Sequence, residues 1–359
     1  MPPTIPLAAD PWVGELSTSG YRFLKRMAAG GMGEVIAVEH EGLGERRVMK
    51  IVRAELSQLE DLVVRLRTEA RVLRQLVSPH LVRVVDFGRT RSGRPFLVME
   101  ILEGETLKDA VRARGAFAPL EALEIAHQML LGLECVHEAG IVHRDVKPDN
   151  VFHCKASPEP TSPRVVKLLD FGVAKVLHDD QRKRLGHVAP TAEGMLVGTP
   201  SFLSTEQALG LPVDTRTDIY ATGGVLYYLL AGRQPFVRES QIELLRAHAS
   251  EKPVAPSQFA PNPLAPATEA LVLRAMEKRK EDRFETAADM RAAIEFAKRE
   301  QLALDRSLGA ALYADLMPKL DSGAMTTPRK GRCSRHIFSR RSSFRRACRM
   351  RAQTSTRRL

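Results

Sequence analysis

The chain has 359 residues, 44% apolar and 27% charged, enough to bury the core of one large domain or of two lobes around a cleft, which excludes a wholly disordered or fibrous protein. Its formal net charge of +11 points to an acidic partner only until the charge is located. From Thr326 to Leu359 there are twelve Lys or Arg and no Asp or Glu, so the remaining residues carry about −1 and the basicity belongs to the tail.

Residues 1–17 ("MPPTIPLAADPWVGELS") are Pro-rich, have no basic residues ahead of an apolar run, and are expected to be a disordered lead-in. The longest apolar stretch, "IYATGGVLYYLLAG" (219–232), is too short to span a bilayer and reads as a buried helix, so no transmembrane segment is expected. The four cysteines, Cys135, Cys154, Cys333 and Cys348, show neither a C-x-x-C pair nor metal-ligand spacing, which favours free thiols and a cytoplasmic location. Dense patterning runs from Tyr21 to about Glu300 without an internal repeat.

Near its start, "RMAAGGMGEVIAV" (26–38) has the spacing G-x-G-x-x-G-x-V, with Ala28 at the first glycine position, then Gly30, Gly31, Gly33 and Val35. Residues without a Cβ let a backbone approach phosphates closely, but they equally make a plain hairpin. A phosphate loop needs a cation, and Lys50 sits inside the apolar run "RRVMKIV". The following "EDLVVRLRTEARVLRQL" has helical spacing (Leu62, Leu66, Ala70, Leu73), from which Glu69 can reach back to Lys50. Taken singly, these two are better read as a snorkelling lysine and one charge on a wet helix face. A first "DFG", at Asp86 to Gly88, reads as a strand end and turn.

The decisive segment is "GIVHRDVKPDNVF" (140–152), lying between the helical pattern "PLEALEIAHQMLLGLECVH" and a short β-branched stretch. Twenty residues after Asn150, the apolar "VVKLLDFGVAK" carries Asp170. Phosphoryl transfer needs a carboxylate to orient and deprotonate a hydroxyl, which Asp145 supplies, and hard oxygen ligands for Mg²⁺, which Asn150 and Asp170 supply. His143 reads as a packing residue of the loop rather than a base. The insert "CKASPEPTSPR" reads as an exposed loop that lengthens a hairpin and has no assigned function.

From about Tyr21 to Phe296 the chain resembles a eukaryotic-type Ser/Thr protein kinase, most similar to bacterial members. The resemblance rests on "GGMG", "HRDVKPDN", "DFGVAK", "TDIYATGGVLYYLLAGRQPF" and "RFETAADM", which occur in the family's order. It implies an α+β, bilobal fold, with an N-terminal antiparallel sheet lobe carrying one helix (18–102), a mostly helical C-terminal lobe (103–300) and ATP between them. A basic tail (301–359) follows, disordered from about 320. The resemblance further implies that Lys50 contacts the α- and β-phosphates and pairs with Glu69, and that Lys147 neutralises the transferred group. Met99 to Leu102, with Glu100 and Leu102, receive adenine, and Asn150 and Asp170 bind Mg²⁺, with Mn²⁺ as a substitute. Lys147 with Thr199 is the pattern of kinases that phosphorylate protein Ser or Thr. Glu206 is expected to pair with Arg283, although Phe202 and Thr205 depart from the usual tyrosine and proline of that segment.

Arg144, just before Asp145, points to control by phosphorylation of the activation segment. Thr191 is the only Ser or Thr between Gly172 and Gly198 and is the candidate autophosphorylation site, with self-association for phosphorylation in trans. The alternative is an ordinary loop threonine with Arg144 merely packed nearby. Asp218 reads as a cap of the catalytic-loop backbone, as a plain helix N-cap, or as both. For the tail, three readings stand side by side: weak, base-unspecific polyanion binding, a frameshift product, and a pseudosubstrate at "RRSSF". The rival to catalysis is a nucleotide-binding pseudokinase, supported by Ala28, Phe202 and Thr205.

Overall fold

In the computed structural model, residues 10–30, 33–57, 60–155, 164–170 and 200–321 are described, and of residues 30, 56, 60–62, 65, 69 and 312–321 the backbone alone. The β-branched runs near the N-terminus form β1 (Tyr21–Gly30), β2 (Gly33–His40), β3 (Arg46–Val52), β4 (Val84–Arg89) and β5 (Pro95–Glu100). They make one antiparallel sheet in the order β1-β2-β3-β5-β4. The helical spacing after β3 yields α2 (Ala54–Ser57) and α3 (Glu60–Gln75), which buries Val63, Ala70 and Leu73. The first "DFG" is part of β4 rather than a turn: Asp86 accepts the Tyr21 hydroxyl at 3.1 Å, next to a register shift between Val84 and Asp86.

Alternation along the strands puts Phe23, Ile36, Val38, Met49, Ile51, Phe96 and Val98 into one apolar cluster, and such a face must be covered. Residues 10–16, expected to lie in a disordered lead-in, supply the cover. They form α1 (Pro11–Glu15), capped by Asp10 through the Trp12 N–H at 3.1 Å, and bury Trp12 (2% exposed) and Leu16 in the cluster. The signal was present as an Asp N-cap before a proline at the first helical position, followed by two large apolar residues.

The second lobe opens with β6 (Gly104–Thr106), α4 (Leu107–Arg114) and α5 (Pro119–Glu138). After α5 come a 3-10 turn at Pro148–Asn150, the hairpin β7 (Val151–Cys154) and β8 (Val166–Leu168), then α6 (Thr205–Leu209) and α7 (Arg216–Ala231). The last helices are α8 (Gln241–Ser250), α9 (Pro266–Ala275) and α10 (Ala287–Asp321). The apolar stretch 219–232 forms most of α7, which is buried along nearly its whole length. Helix α9 packs so closely on it that a Cβ at Gly223 would stand 2.7 Å from that of Ala275. Among the described residues no helix is long and apolar enough to cross a membrane.

The expected boundary at residue 300 is passed without a break, because α10 continues and Gln301 is buried. Gln301 accepts the Ala265 N–H at 2.8 Å and donates to the Pro263 carbonyl at 3.0 Å. A second compact unit begins at Asp305, and its described residues are helical. Residues 322–359, which hold the twelve basic residues of the tail, lie outside the described residues.

Strand β8 is tied to the sheet lobe. The Leu168 N–H donates to the His80 carbonyl at 2.9 Å, its carbonyl accepts the Val82 N–H at 3.0 Å, and Lys167 Nζ reaches Glu100 at 2.7 Å. On the neighbouring β7, His153 is buried and its Nδ1 has no hydrogen-bond partner among the described residues. Burial, with Arg164 and Arg114 nearby, pushes its pKa from 6.5 down to about 4. The ring is neutral in the folded protein and takes a proton on unfolding, so its contribution is complete above about pH 6.5 and is lost as the pH falls toward 4. Between pH 7 and pH 5 the protein is expected to lose about 2 kcal/mol through this group. Urea midpoints at the two pH values will show a smaller difference for His153→Leu than for the parent.

Candidate active site

The loop after α5 carries a left-handed non-glycine residue, Arg144, at φ +64°. Such a conformation costs on the order of 1–3 kcal/mol and persists only where the surroundings over-determine it. Here the carboxylate of Asp218, wholly buried in the first turn of α7, does so. It accepts the N–H groups of His143 and Arg144 at 2.8 Å each and lies 2.8 Å from His137 Nε2. Because the N-cap of α7 is Thr215, Asp218 is not a plain N-cap. His143 is also wholly buried: its Nδ1 faces the Asp145 N–H at 3.3 Å and its Nε2 the Leu169 carbonyl at 2.9 Å. That pairing suits the neutral ring protonated on Nε2, and burial pushes its pKa below the ordinary histidine value. His143 therefore ties the loop to the end of β8.

The loop so held presents Asp145, 7% exposed, with one carboxylate oxygen, Oδ2, shared by Lys147 Nζ at 2.8 Å and Asn150 Nδ2 at 2.7 Å. Asn150 Nδ2 also donates to the Asp145 carbonyl at 2.9 Å. With its amide nitrogen so engaged, Asn150 keeps its Oδ1 as an acceptor. Beyond β8, Asp170 is the second left-handed non-glycine residue, at φ +46°, and its carboxylate lies 2.9 Å from Lys50 Nζ. Lys50 stands on β3 opposite Val35 of β2 and Leu97 of β5, so the sheet fixes where its stem begins. The sequence pointed to Glu69 as the partner of Lys50; Glu69 falls within α3, but its side chain lies outside the described set. The Lys50–Asp170 contact had no sequence signal, because the two residues are 120 positions apart.

Above this group, Ala28 pairs with Val35 and Gly30 with Gly33 across the β1–β2 hairpin, while Gly31 lies outside the described residues. A Cβ on Gly33 would stand 2.0 Å from the Ile51 carbonyl oxygen, so within the fold this position must be glycine because of the neighbouring strand. At the end of β5 the Glu100 side chain is taken up by Lys167 and by the Arg83 N–H at 2.8 Å, and Leu102 packs against the core of the helical lobe. Asn150 Oδ1 and the Asp170 carboxylate are both hard oxygen donors, a set that suits a small divalent cation.

A model of the protein kinase domain matches residues 21–293, which contain all of these side chains. The chain belongs to the protein kinase family. It is 37% identical to the serine/threonine-protein kinase Pkn1 of Myxococcus xanthus, over 82% of this chain and 40% of that protein. It is 36% identical to the serine/threonine-protein kinase PknB of Mycolicibacterium smegmatis, over 76% of this chain and 42% of that one. It thus spans well under half the length of these curated relatives. The crystallised kinase domain of Mycobacterium tuberculosis PknI shares the fold, with a TM-score of 0.59 and 23% identity over 79% of this chain and 98% of that domain. Kinases of this family work with ATP and a divalent metal.

Thr191 and Thr199 lie outside the described residues of this kinase domain. Phe202 packs edge-on against Tyr228 at 6.0 Å. The missing proline at Thr205 has a local replacement. Ser204 and Gln207 form a reciprocal capping box, and the Thr205 hydroxyl donates to the His248 carbonyl at 3.0 Å, tying α6 to α8. Glu206 and Arg283 form a buried two-pronged pair at 2.8 and 3.0 Å. The guanidinium completes all five of its donors on the carbonyls of Glu277, Arg216 and Lys278, at 2.8, 3.0 and 3.1 Å. Burial alone would raise the Glu206 pKa, but the bonds from Arg283 and Thr217 outweigh it and hold the carboxyl below its ordinary range. Arg283→Met strands this buried carboxylate and is expected to cost about 3–5 kcal/mol, read as a drop in the urea midpoint at pH 7.

Proposed function

We propose that this domain transfers the γ-phosphoryl group of ATP to Ser or Thr hydroxyls of proteins. The observation that carries the reading is that three separate segments bring these groups together: Lys50 of β3 pairs with Asp170 beyond β8 at 2.9 Å, Asp145 pairs with Lys147 at 2.8 Å and with Asn150 at 2.7 Å, and the Asn150 carbonyl accepts the N–H of Leu169, next to Asp170, at 2.8 Å. Asp145 orients the attacking hydroxyl and takes its proton as the oxygen bonds to phosphorus and the bond from phosphorus to the β–γ bridging oxygen breaks, releasing ADP. Lys147, beside the same carboxylate, offsets charge on the phosphoryl oxygens, and Lys50 holds the α- and β-phosphates. Asn150 and Asp170 would hold Mg²⁺, with Mn²⁺ as a substitute, which would supply neutralisation of the phosphate charge.

Lys147 with Thr199 sets the preference for Ser and Thr. Arg144, fixed in place by its backbone bond to Asp218, is positioned to take a phosphate on the activation segment, and Thr191 is the site we assign to it, phosphorylated in trans by a second copy. Protein substrates, a cytoplasmic setting and weak polyanion binding by the tail belong to the same reading. Cys135 and Cys154, free thiols among the described residues, are compatible with that setting.

Incubation with Mg²⁺ and ATP followed by phosphosite mapping tests the proposal against an Asp145→Asn control. New phosphate is expected on Thr191 and other Ser or Thr residues of the parent, with the control slower by about 10²–10⁴-fold. Stabilisation of both proteins by nucleotide without phosphate on either would replace this reading with a nucleotide-binding module.

A further inference from the structure

The helix α1 does more than cover an apolar face. Its N-cap Asp10, buried at the helix start, receives Arg26 of β1 through two bonds, Nε to Oδ2 at 2.9 Å and Nη2 to Oδ1 at 3.1 Å. Arg26 also reaches Glu34 of β2 at 2.5 Å, and the same Glu34 oxygen accepts the Trp12 indole N–H at 3.1 Å. Arg26 holds the Asp10 carboxyl below the usual carboxylate range. On its other side α1 is anchored to the β4–β5 turn. Glu15 accepts the Arg91 and Ser92 N–H groups, at 2.9 Å on its carbonyl and 3.1 Å on its carboxylate, and Arg94 lies 4.8 Å over the Trp12 ring while donating to the Val52 carbonyl at 2.9 Å.

These contacts fall where the sheet itself holds the glycine-rich hairpin least. Strand β1 is at the sheet edge, and its pairing with β2 shifts register twice, between Phe23 and Lys25 and between Arg26 and Ala28. A shift in register disrupts the ladder locally and bends the strand. Arg26 stands at the second shift, immediately before the stretch Ala28 to Gly30, and Glu34 follows Gly33 on the other strand. The two residues gripped by α1 therefore bracket the hairpin.

We propose that Asp10 and Trp12 are positioning residues for the nucleotide, acting through Arg26 and Glu34 to set the glycine-rich hairpin above the phosphates. This rests on the kinase reading. A hairpin released from α1 would still fold back on β2 but would hold ATP less well, while Asp145 and its loop, in the other lobe, would be untouched. The effect therefore falls on KM for ATP rather than on kcat.

Trp12 is the single tryptophan of the chain, so its emission reports on this junction alone. In the full chain, addition of ADP with Mg²⁺ is expected to change that emission saturably, with a midpoint equal to the affinity found by calorimetry. Asp10→Asn, which keeps the helix cap but loses the charge, is expected to raise KM for ATP about fivefold with kcat within about twofold. Arg26→Gln should do the same, and the double variant should be no worse than either single one. Trp12→Phe keeps the buried ring, removes only the indole donor, and carries the same KM test if Asp10→Asn lowers the melting temperature. The proposal is overturned if calorimetry shows nucleotide binding while Trp12 emission stays constant and these variants keep the parent's KM. Absence of nucleotide binding in the parent overturns the kinase reading instead, and this inference with it.

Discussion

The site depends on one buried carboxylate. Asp218 has no access to water, so every lone pair it leaves unmatched would cost free energy, and it is matched by two backbone N–H groups of a loop more than seventy residues away and by His137 of α5. That matching is what allows Arg144 to hold a left-handed backbone, and the left-handed turn is what sets Asp145 facing the cleft. Helix α7, the most deeply buried in the protein, gives Asp218 an anchor that cannot shift without opening the core.

The two lobes contribute different things to this anchor. From the helical lobe come Asp145, Lys147 and Asn150, on the loop and turn between α5 and β7, and Asp170, just beyond β8. From the sheet lobe comes Lys50, whose strand is paired on both sides. The link between them is β8, which bonds to residues 80–82 through its backbone and to Glu100 through Lys167. Because Asp170 follows β8 directly, its approach to Lys50 is set by this seam rather than by either lobe alone.

Two buried charges of the helical lobe, Glu206 and Arg283, are fully matched. Arg283 satisfies all five donors and Glu206 is paired at both oxygens, so an ion pair that would be costly if half-satisfied becomes a fixed joint between α6 and the loop ahead of α10. The departures at Phe202 and Thr205 are absorbed in the same way, one by an aromatic contact and the other by a hydroxyl bond and a capping box. Two of the three substitutions that weakened the kinase reading in the sequence, Phe202 and Thr205, are thus compensated in the packing.

The sequence by itself determined the chemistry. "HRDVKPDN", "DFG" and the glycine-rich run name reactive groups whose types are hard to account for by packing, and strand alternation and helical spacing placed them on the right elements. It also held the signals for α1, an Asp-Pro-Trp start, but a Pro-rich opening outweighed them, since whether Trp12 is buried depends on an apolar sheet face that no local pattern displays. Only the tertiary structure decided that Lys50 meets Asp170, that the Ile51 carbonyl leaves no room for a Cβ at Gly33, that Asp218 serves the loop, and that the domain continues through Gln301. Each of these is a contact between distant segments. Local sequence specifies residue type and periodicity, whereas close approach and hydrogen-bond matching between such segments are properties of the packed chain alone.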